Sequence, residues 1–452
     1  MNRRRFLSAS GLLASLPFWG KAFADNPRVL KLRPTSQHLV GAQNPKTDVW
    51  AYDGTVPGPV LRYRQGDVLR IEVENALPVA TTVHWHGIRL PNAMDGVPEV
   101  TQKPIAANGG RFTYEFALPD AGTFWYHPHL GSAEQVGRGL AGALIVEERD
   151  PPKVDRELVW VLSDWRLDRQ ARITPDFLSP MDSSHNGRVG NTVTVNGSIQ
   201  EVFSLRSGER IRLRLINASN ARIYGLHFEG HAPWLIAFDG HPVEPRRLEE
   251  ERVVLGPAQR ADLILECNGA PGSRHRVIDD FYQRRAYRLL DLAYTNDEPL
   301  MRTMEIPARL PVNPFKRPDL NGAERHRIVF GGGMMGAMPS QREHRGMFWT
   351  INGRPIDEHA AHASPILQLK KDASYVLELV NDTSWHHPIH LHGHVFEVIS
   401  GNRKGVAGDT VLIDPDSRAE IAFVADNPGD WMLHCHVLEH QATGMMALVR
   451  VG

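Results

Sequence analysis

Apolar and polar residues alternate along most of this chain, in stretches too short for a helix. In Gly66-Asp67-Val68-Leu69-Arg70-Ile71-Glu72-Val73-Glu74-Asn75 the apolar side chains take every second position. The same rhythm returns in Gly208-Glu209-Arg210-Ile211-Arg212-Leu213-Arg214-Leu215-Ile216-Asn217. A weaker third copy runs from Asp372 through Tyr375-Val376-Leu377-Glu378-Leu379-Val380 to Asn381. Neighbouring side chains of a strand point to opposite faces, so each copy predicts a half-buried β-strand that opens at a turn and closes on Asn. A second landmark follows: Pro119-Asp120-Ala121-Gly122-Thr123-Phe124-Trp125-Tyr126 resembles Asn427-Pro428-Gly429-Asp430-Trp431-Met432-Leu433. Gly256-Pro257-Ala258-Gln259-Arg260-Ala261-Asp262 reads as the middle copy. Many short strands, glycine and proline turns and no long helical period predict an all-β chain of three consecutive Greek-key β-sandwich domains. A length of 452 residues suits three. Boundaries are expected at Asp150-Pro151-Pro152 and in the proline-rich stretch from Pro307 to Pro318, giving domains at 25–150, 151–306 and 307–452.

Residues 1–24 do not fit that rhythm. Arg3 and Arg4, then Phe6 and Leu7, an interrupted apolar run to Trp19 and Ala22-Phe23-Ala24 match a twin-arginine export signal with cleavage before Asp25. A mature protein in the periplasm is the expectation. No other apolar run is long enough to span a membrane, so no membrane insertion is expected after signal removal. A net charge of -1 provides no patch for nucleic acid. Composition leaves oligomeric state open, with a monomer favoured.

Histidine changes the picture. There are 22, far more than one acid–base residue requires. Nine positions beyond Asn75 stands His84, with His86 two further; nine beyond Asn381 stands His390, then His392; nine beyond Asn217 stands Leu226, then Phe228. Five beyond Gly122 stand His127 and His129, and five beyond Gly429 stand His434 and His436, whereas Gly256 leads to Ala261 and Leu263. Side chains at i and i+2 share a face, so each His-x-His pair aims two imidazoles at one place. Units one and three carry the pairs and the middle one does not. A metal site between the outer units follows, with the middle unit as a spacer. Imidazole suits zinc, copper, iron or nickel. Cys435 narrows the choice, because with His440, Met445 and His387 upstream it makes the two-His, one-Cys set with a weak thioether of a blue-copper site. Cys267, in Leu265-Glu266-Cys267-Asn268, reads as an inert strand-end thiol.

His84-Trp85-His86-Gly87, Tyr126-His127-Pro128-His129, His387-Pro388-Ile389-His390-Leu391-His392-Gly393 and His434 through Met446 resemble the four copper-binding motifs of multicopper oxidases, which include laccases and bacterial cuprous oxidases. The likeness covers essentially the whole chain after residue 24. It implies cupredoxin-like domains and four copper ions. The type 1 ion would lie on His387, Cys435, His440 and Met445, and the type 2 ion on His84 and His390. The type 3 pair would lie on His86, His127, His129, His392, His434 and His436. A small electron donor would be oxidised near His387 or His440, and electrons would pass through Cys435 to its neighbours His434 and His436, where O2 is reduced. Asp95, in Met94-Asp95-Gly96, matches the acid this family sets beside the cluster, with proton delivery its expected role; the Asp-Gly pair also suits a plain turn.

The donor stays open: phenols, aromatic amines, Mn(II) and Cu(I) all suit a one-electron oxidase. Met334, Met335 and Met338 in a glycine-rich loop could gather Cu(I) or only touch the core. Trp385 and Gln441 stand where some cuprous oxidases carry methionine and an acid. Relatives without turnover, either division scaffolds or copper-sequestering proteins, are the competing class. All twelve ligand positions are filled here, which argues for the enzyme.

Overall fold

The computed structural model describes residues 27–301, 305–334, 346–356 and 364–452. The expected export signal, Met335 and Met338 lie outside them. Three sandwiches follow one another. Strands from Arg28–Gln37 to Gly142–Glu147 form two four-stranded sheets. Strands from Arg156–Trp165 to Tyr287–Tyr294 form a six- and a five-stranded sheet, and so do those from Glu324–Gly332 to Met446–Val451. Among the described residues α-helix is confined to Ser132–Gly137, Pro180–Ser184 and Leu438–Ala442. None of these helices is long and apolar enough to cross a membrane.

The alternating segments become the strands Val68–Asn75, Arg210–Asn217 and Ser374–Asn381. Each runs parallel to the first strand of its own unit: Leu30 faces Val73, Leu158 faces Leu213, and Ile328 faces Leu379. A parallel neighbour cannot be joined by a tight hairpin, so the chain crosses between sheets in every unit. The Asn that closes each strand is a lock. Asn75 Nδ2 donates to the carbonyls of Val79, Ile105 and Ala106, Asn217 Nδ2 to those of Arg222 and Leu255, and Asn381 Nδ2 to those of Trp385 and Asp414. The loop that leads to the next strand is thereby pinned, which explains why the histidines follow at a constant interval.

Two expectations change. The middle alternating strand is not half-buried: Arg212 and Arg214, on its polar face, are 0% and 1% exposed. That face meets the first unit, and the charges are paired there with Glu148, Glu157 and Asp262. The Gly256 segment is also not the middle copy of the second landmark. It leads into Arg260–Glu266, which pairs antiparallel with Arg210–Asn217 in the other sheet. The place held by Gly122–His127 and Gly429–Cys435 in the outer units belongs to Arg274–Asp279. Glycine–proline turns open many kinds of strand, so turn chemistry alone misassigned it. The middle unit still presents Leu226 opposite Asp279, where the outer units present His84 opposite His127 and His390 opposite His434.

One continuous apolar core joins the first and third units, from Leu30 to Val451, and the middle unit has its own. The histidine strands lie at the seam of the shared core.

Candidate metal centre

All eight imidazoles of the four pairs are at most 2% exposed. They gather in two trios and a pair. Ring centroids of His86, His127 and His436 lie 5.0 to 5.8 Å apart, and those of His129, His392 and His434 lie 5.0 to 5.2 Å apart. Each trio draws on both outer units. His84 and His390 stand 5.7 Å apart between them.

Six of the outward nitrogens are occupied. His84 Nδ1 donates to the Asp95 carbonyl at 2.8 Å, His390 Nδ1 to the Asp409 carbonyl at 2.8 Å, and His392 Nδ1 to Asp95 Oδ2 at 2.8 Å. His86 Nε2 donates to Asp409 Oδ1 at 2.9 Å, while His127 and His434 use Nδ1 on the carbonyls of Pro128 and Cys435. Because an oxygen acceptor fixes the proton outside, the other nitrogen presents a lone pair inward. The Nε2 atoms of His392 and His434 thus face each other at 2.9 Å with no proton to share. Those of His127 and His436 stand 3.4 Å apart. Buried inward nitrogens without any partner complete the set: Nε2 of His84, His129 and His390, and Nδ1 of His86. Facing lone pairs repel unless a cation lies between them, so the donor set fits metal ions. Burial first, and the neighbouring imidazoles next, hold His127, His129, His392, His434 and His436 well below the ordinary histidine value. Neutral rings are the form that binds metal.

Asp95 is the turn residue, and it also anchors two histidines. It ends the short turn Asn92–Met94, and it holds one histidine from each outer unit, His84 through its carbonyl and His392 through its carboxylate. Gly96 beside it is obligatory: a Cβ there would lie 2.0 Å from the Val83 carbonyl oxygen.

The sulfur site is separate. Cys435 Sγ lies 3.4 Å from His387 Nδ1 and 3.7 Å from His440 Nδ1, and these two nitrogens are 3.2 Å apart. Burial pushes the thiol up, so its ionisation requires a bound cation. Met445 is 0% exposed in the same core cluster, and its carbonyl accepts from the Cys435 N–H. His387 Nε2 donates to Thr383 Oγ1 at 2.8 Å, and Thr383 passes the bond on to Asn381. His440 Nε2 donates to the His185 carbonyl of the middle unit at 2.5 Å. Cys435 and its neighbours His434 and His436 therefore connect the two sites through the chain itself. Cys267 is a buried thiol pushed up to about 12, burial being the main cause, and stands apart from both.

The middle unit is more than a spacer. Its Arg260 grips Asp409 with both guanidinium nitrogens, its Arg188 N–H and Asn220 donate to buried Glu439, and its His185 caps His440. Burial alone would push the Asp409 carboxyl up; Arg260, together with His86 and His390, outweighs it and holds the group well below the carboxylate range. Thr383, Asp409, Glu439 and Arg260 carry no spacing signal in the sequence, since none shares a repeat position with the residue it holds.

Models of multicopper oxidase domains match residues 35–151, 156–296 and 336–452. The chain belongs to the multicopper oxidase family. The crystal structure of a multicopper oxidase from Pseudomonas thermotolerans superimposes with a TM-score of 0.84 at 39% identity, covering 94% of this chain and 99% of that one. Multicopper oxidase MmcO of Mycobacterium tuberculosis is 30% identical over 97% of this chain and 90% of its own length. Laccase-1 of Fomitopsis schrenkii is 29% identical over 98% and 91%. Copper resistance proteins are among the further relatives. The protein is thus a copper-dependent oxidoreductase that takes electrons from a reducing substrate and delivers them to O2.

Proposed function

We propose that this multicopper oxidase is laccase-like and holds four copper ions. One would be held by His387, Cys435, His440 and Met445, one by His84 and His390, and a pair by the two imidazole trios. When bound, copper supplies one-electron redox chemistry at the sulfur site and multi-electron reduction of dioxygen at the imidazole site. The observation that carries the reading is covalent: Cys435 belongs to one site and its chain neighbours His434 and His436 to the other. The protein's residues keep the imidazoles neutral and oriented and exclude water from both sites. Asp95 Oδ2, already bonded to His392 Nδ1, is the group set to hold a proton for oxygen reduction.

Phenols and aromatic amines are the favoured donors, with Mn(II) alongside. A second reading, a cuprous oxidase in copper tolerance, has one observation behind it. Met334 is 45% exposed, and its N–H donates to the carbonyl of Ser184, the residue before the His185 that caps His440. The backbone of Met334 is thereby tied beside His185, and a thioether suits Cu(I). Export by the twin-arginine route to the periplasm completes the proposal on the strength of Arg3, Arg4, Phe6 and Leu7.

Oxygen-uptake rates measured side by side for a phenol, Mn(II) and Cu(I) test the donor. The laccase-like reading expects the phenol fastest, and a markedly faster Cu(I) rate replaces it with the second reading. A copper-loaded protein that consumes no oxygen with any donor sinks both.

A further inference from the structure

Arg260 is 0% exposed and bonds to all three units. Its Nε donates to the Thr123 carbonyl of the first unit at 3.1 Å and its Nη1 to the Ala258 carbonyl of its own unit at 3.2 Å. Nη1 and Nη2 then grip the two carboxylate oxygens of Asp409, in the third unit, at 2.9 and 2.6 Å. Asp409 Oδ1 accepts from His86 Nε2 at 2.9 Å and lies 3.4 Å from His390 Nδ1, while its carbonyl accepts from His390 Nδ1. His86 comes from the first unit and His390 from the third, so one residue orients an imidazole on each side of the seam, His86 by its carboxylate and His390 by its carbonyl.

The neighbouring backbone is shaped around this ion pair. A Cβ on Gly87 would fall 2.5 Å from Arg260 Nη2 and 2.7 Å from Asp409 Oδ2. The glycine of His84-Trp85-His86-Gly87 makes room for the pair, and its φ of +87° is one that other residues rarely adopt. A planar fork is needed to hold both oxygens while a third bond reaches Thr123; an ammonium is a point donor and cannot do so. Among the described residues no hydrogen bond or ion pair joins Arg260 to His387, Cys435 or His440.

We propose that Arg260 is a positioning residue for the imidazole cluster. By fixing Asp409 it orients His86 and His390 together, so the middle unit completes a metal site to which it contributes no ligand. This inference rests on the copper assignment made above.

The test compares Arg260→Gln, Arg260→Lys and the near-isosteric Asp409→Asn with the unsubstituted holoenzyme. Copper content, blue absorbance, bleaching of the blue centre by a phenol under argon, and oxygen uptake are all measured. Arg260→Gln and Asp409→Asn are expected to keep the blue centre and its anaerobic bleaching while cluster copper or oxygen uptake falls about 10- to 100-fold, the usual effect of losing a partner that orients a ligand. Arg260→Lys should recover part of the loss. Unchanged copper content and oxygen uptake in Arg260→Gln would overturn the proposal. So would equal loss of the blue centre and the cluster in both charge-removing variants, which would make the pair a general prop of the fold. Should the unsubstituted protein take up no copper, the copper assignment itself falls, and this inference with it.

Discussion

At the scale of single residues, each metal-facing side chain works through the partner on its far side. Cys435 is the clearest case, a thiol that burial pushes up and that only a cation can keep ionised in place. Cys435→Ser is expected to abolish the blue absorbance and donor oxidation together while leaving cluster copper bound. Visible spectra with copper analysis check this, and retained blue colour would refute the sulfur site. Asp95→Asn keeps the shape of the turn and the carbonyl that holds His84, and changes the carboxylate that meets His392 Nδ1 and lies 3.3 Å from His84 Nδ1. Oxygen uptake should fall about 10- to 100-fold with the blue centre intact. An unaltered rate across the pH range would leave Asp95 a turn residue. Cys435 was legible from motif spacing, and Asp95 only through the family resemblance. Asp409 was not, because the separation of 323 positions between it and His86 leaves no local pattern.

At the scale of elements, the Asn that closes each alternating strand converts a sequence period into a geometric one. Asn75, Asn217 and Asn381 are at most 1% exposed, and each satisfies two or three loop carbonyls. Replacing any of them by Leu strands those carbonyls in the interior, at a cost of about 1–3 kcal/mol for a buried group left unpaired. The three changes should nevertheless differ. Asn381→Leu also releases Thr383, and with it His387 Nε2, so it should shift the blue absorbance. Asn217→Leu should lower thermal stability without touching the spectrum. Identical spectra for the two variants would contradict this chain of bonds. The repeat that revealed the strands thus named the locking residues, but not what they lock, since a carbonyl acceptor has no side-chain signature.

At the scale of the whole molecule, the interfaces between units are polar and the site depends on them. Glu157, on the first strand of the middle unit, accepts from Arg214 of its own unit and from Arg62 of the first unit. Burial alone would push this carboxyl up, but Arg214, with a smaller contribution from Arg62, outweighs it and lowers the value from 4.5 to about 2. A carboxyl held below its unfolded value stabilises the fold fully above that value, and the stabilisation drains away as pH falls. Glu157→Gln should therefore melt below the unsubstituted protein at neutral pH, with the gap closing between pH 4.5 and about 2. A gap that persists at the acid end would remove Glu157 from the account. Metal removal should act globally too. The outer units share one core, and a ligand that binds only the folded state adds its binding energy to stability. Chelator-stripped protein should melt lower by calorimetry, and an unchanged melting temperature would place the metal outside the folding equilibrium.

What the sequence determined by itself was everything carried by a short period. Alternation identified the strands, constant intervals from a closing Asn and from a later glycine located the imidazoles in the outer units, and the cysteine between two histidines joined the two sites. These are local regularities, written within a dozen residues. The tertiary structure alone decided which nitrogen of each ring faces inward, because that depends on acceptors such as the carbonyls of Asp95 and Asp409. It alone corrected the middle unit, where a generic glycine–proline turn imitated a landmark, and where Arg212 and Arg214 seemed to face water. Paired charges can be buried when their partners arrive from another unit, as Glu148 does for Arg212. Arg260 reaches Asp409 across 149 positions, and contact at such distance exists only once the chain has folded.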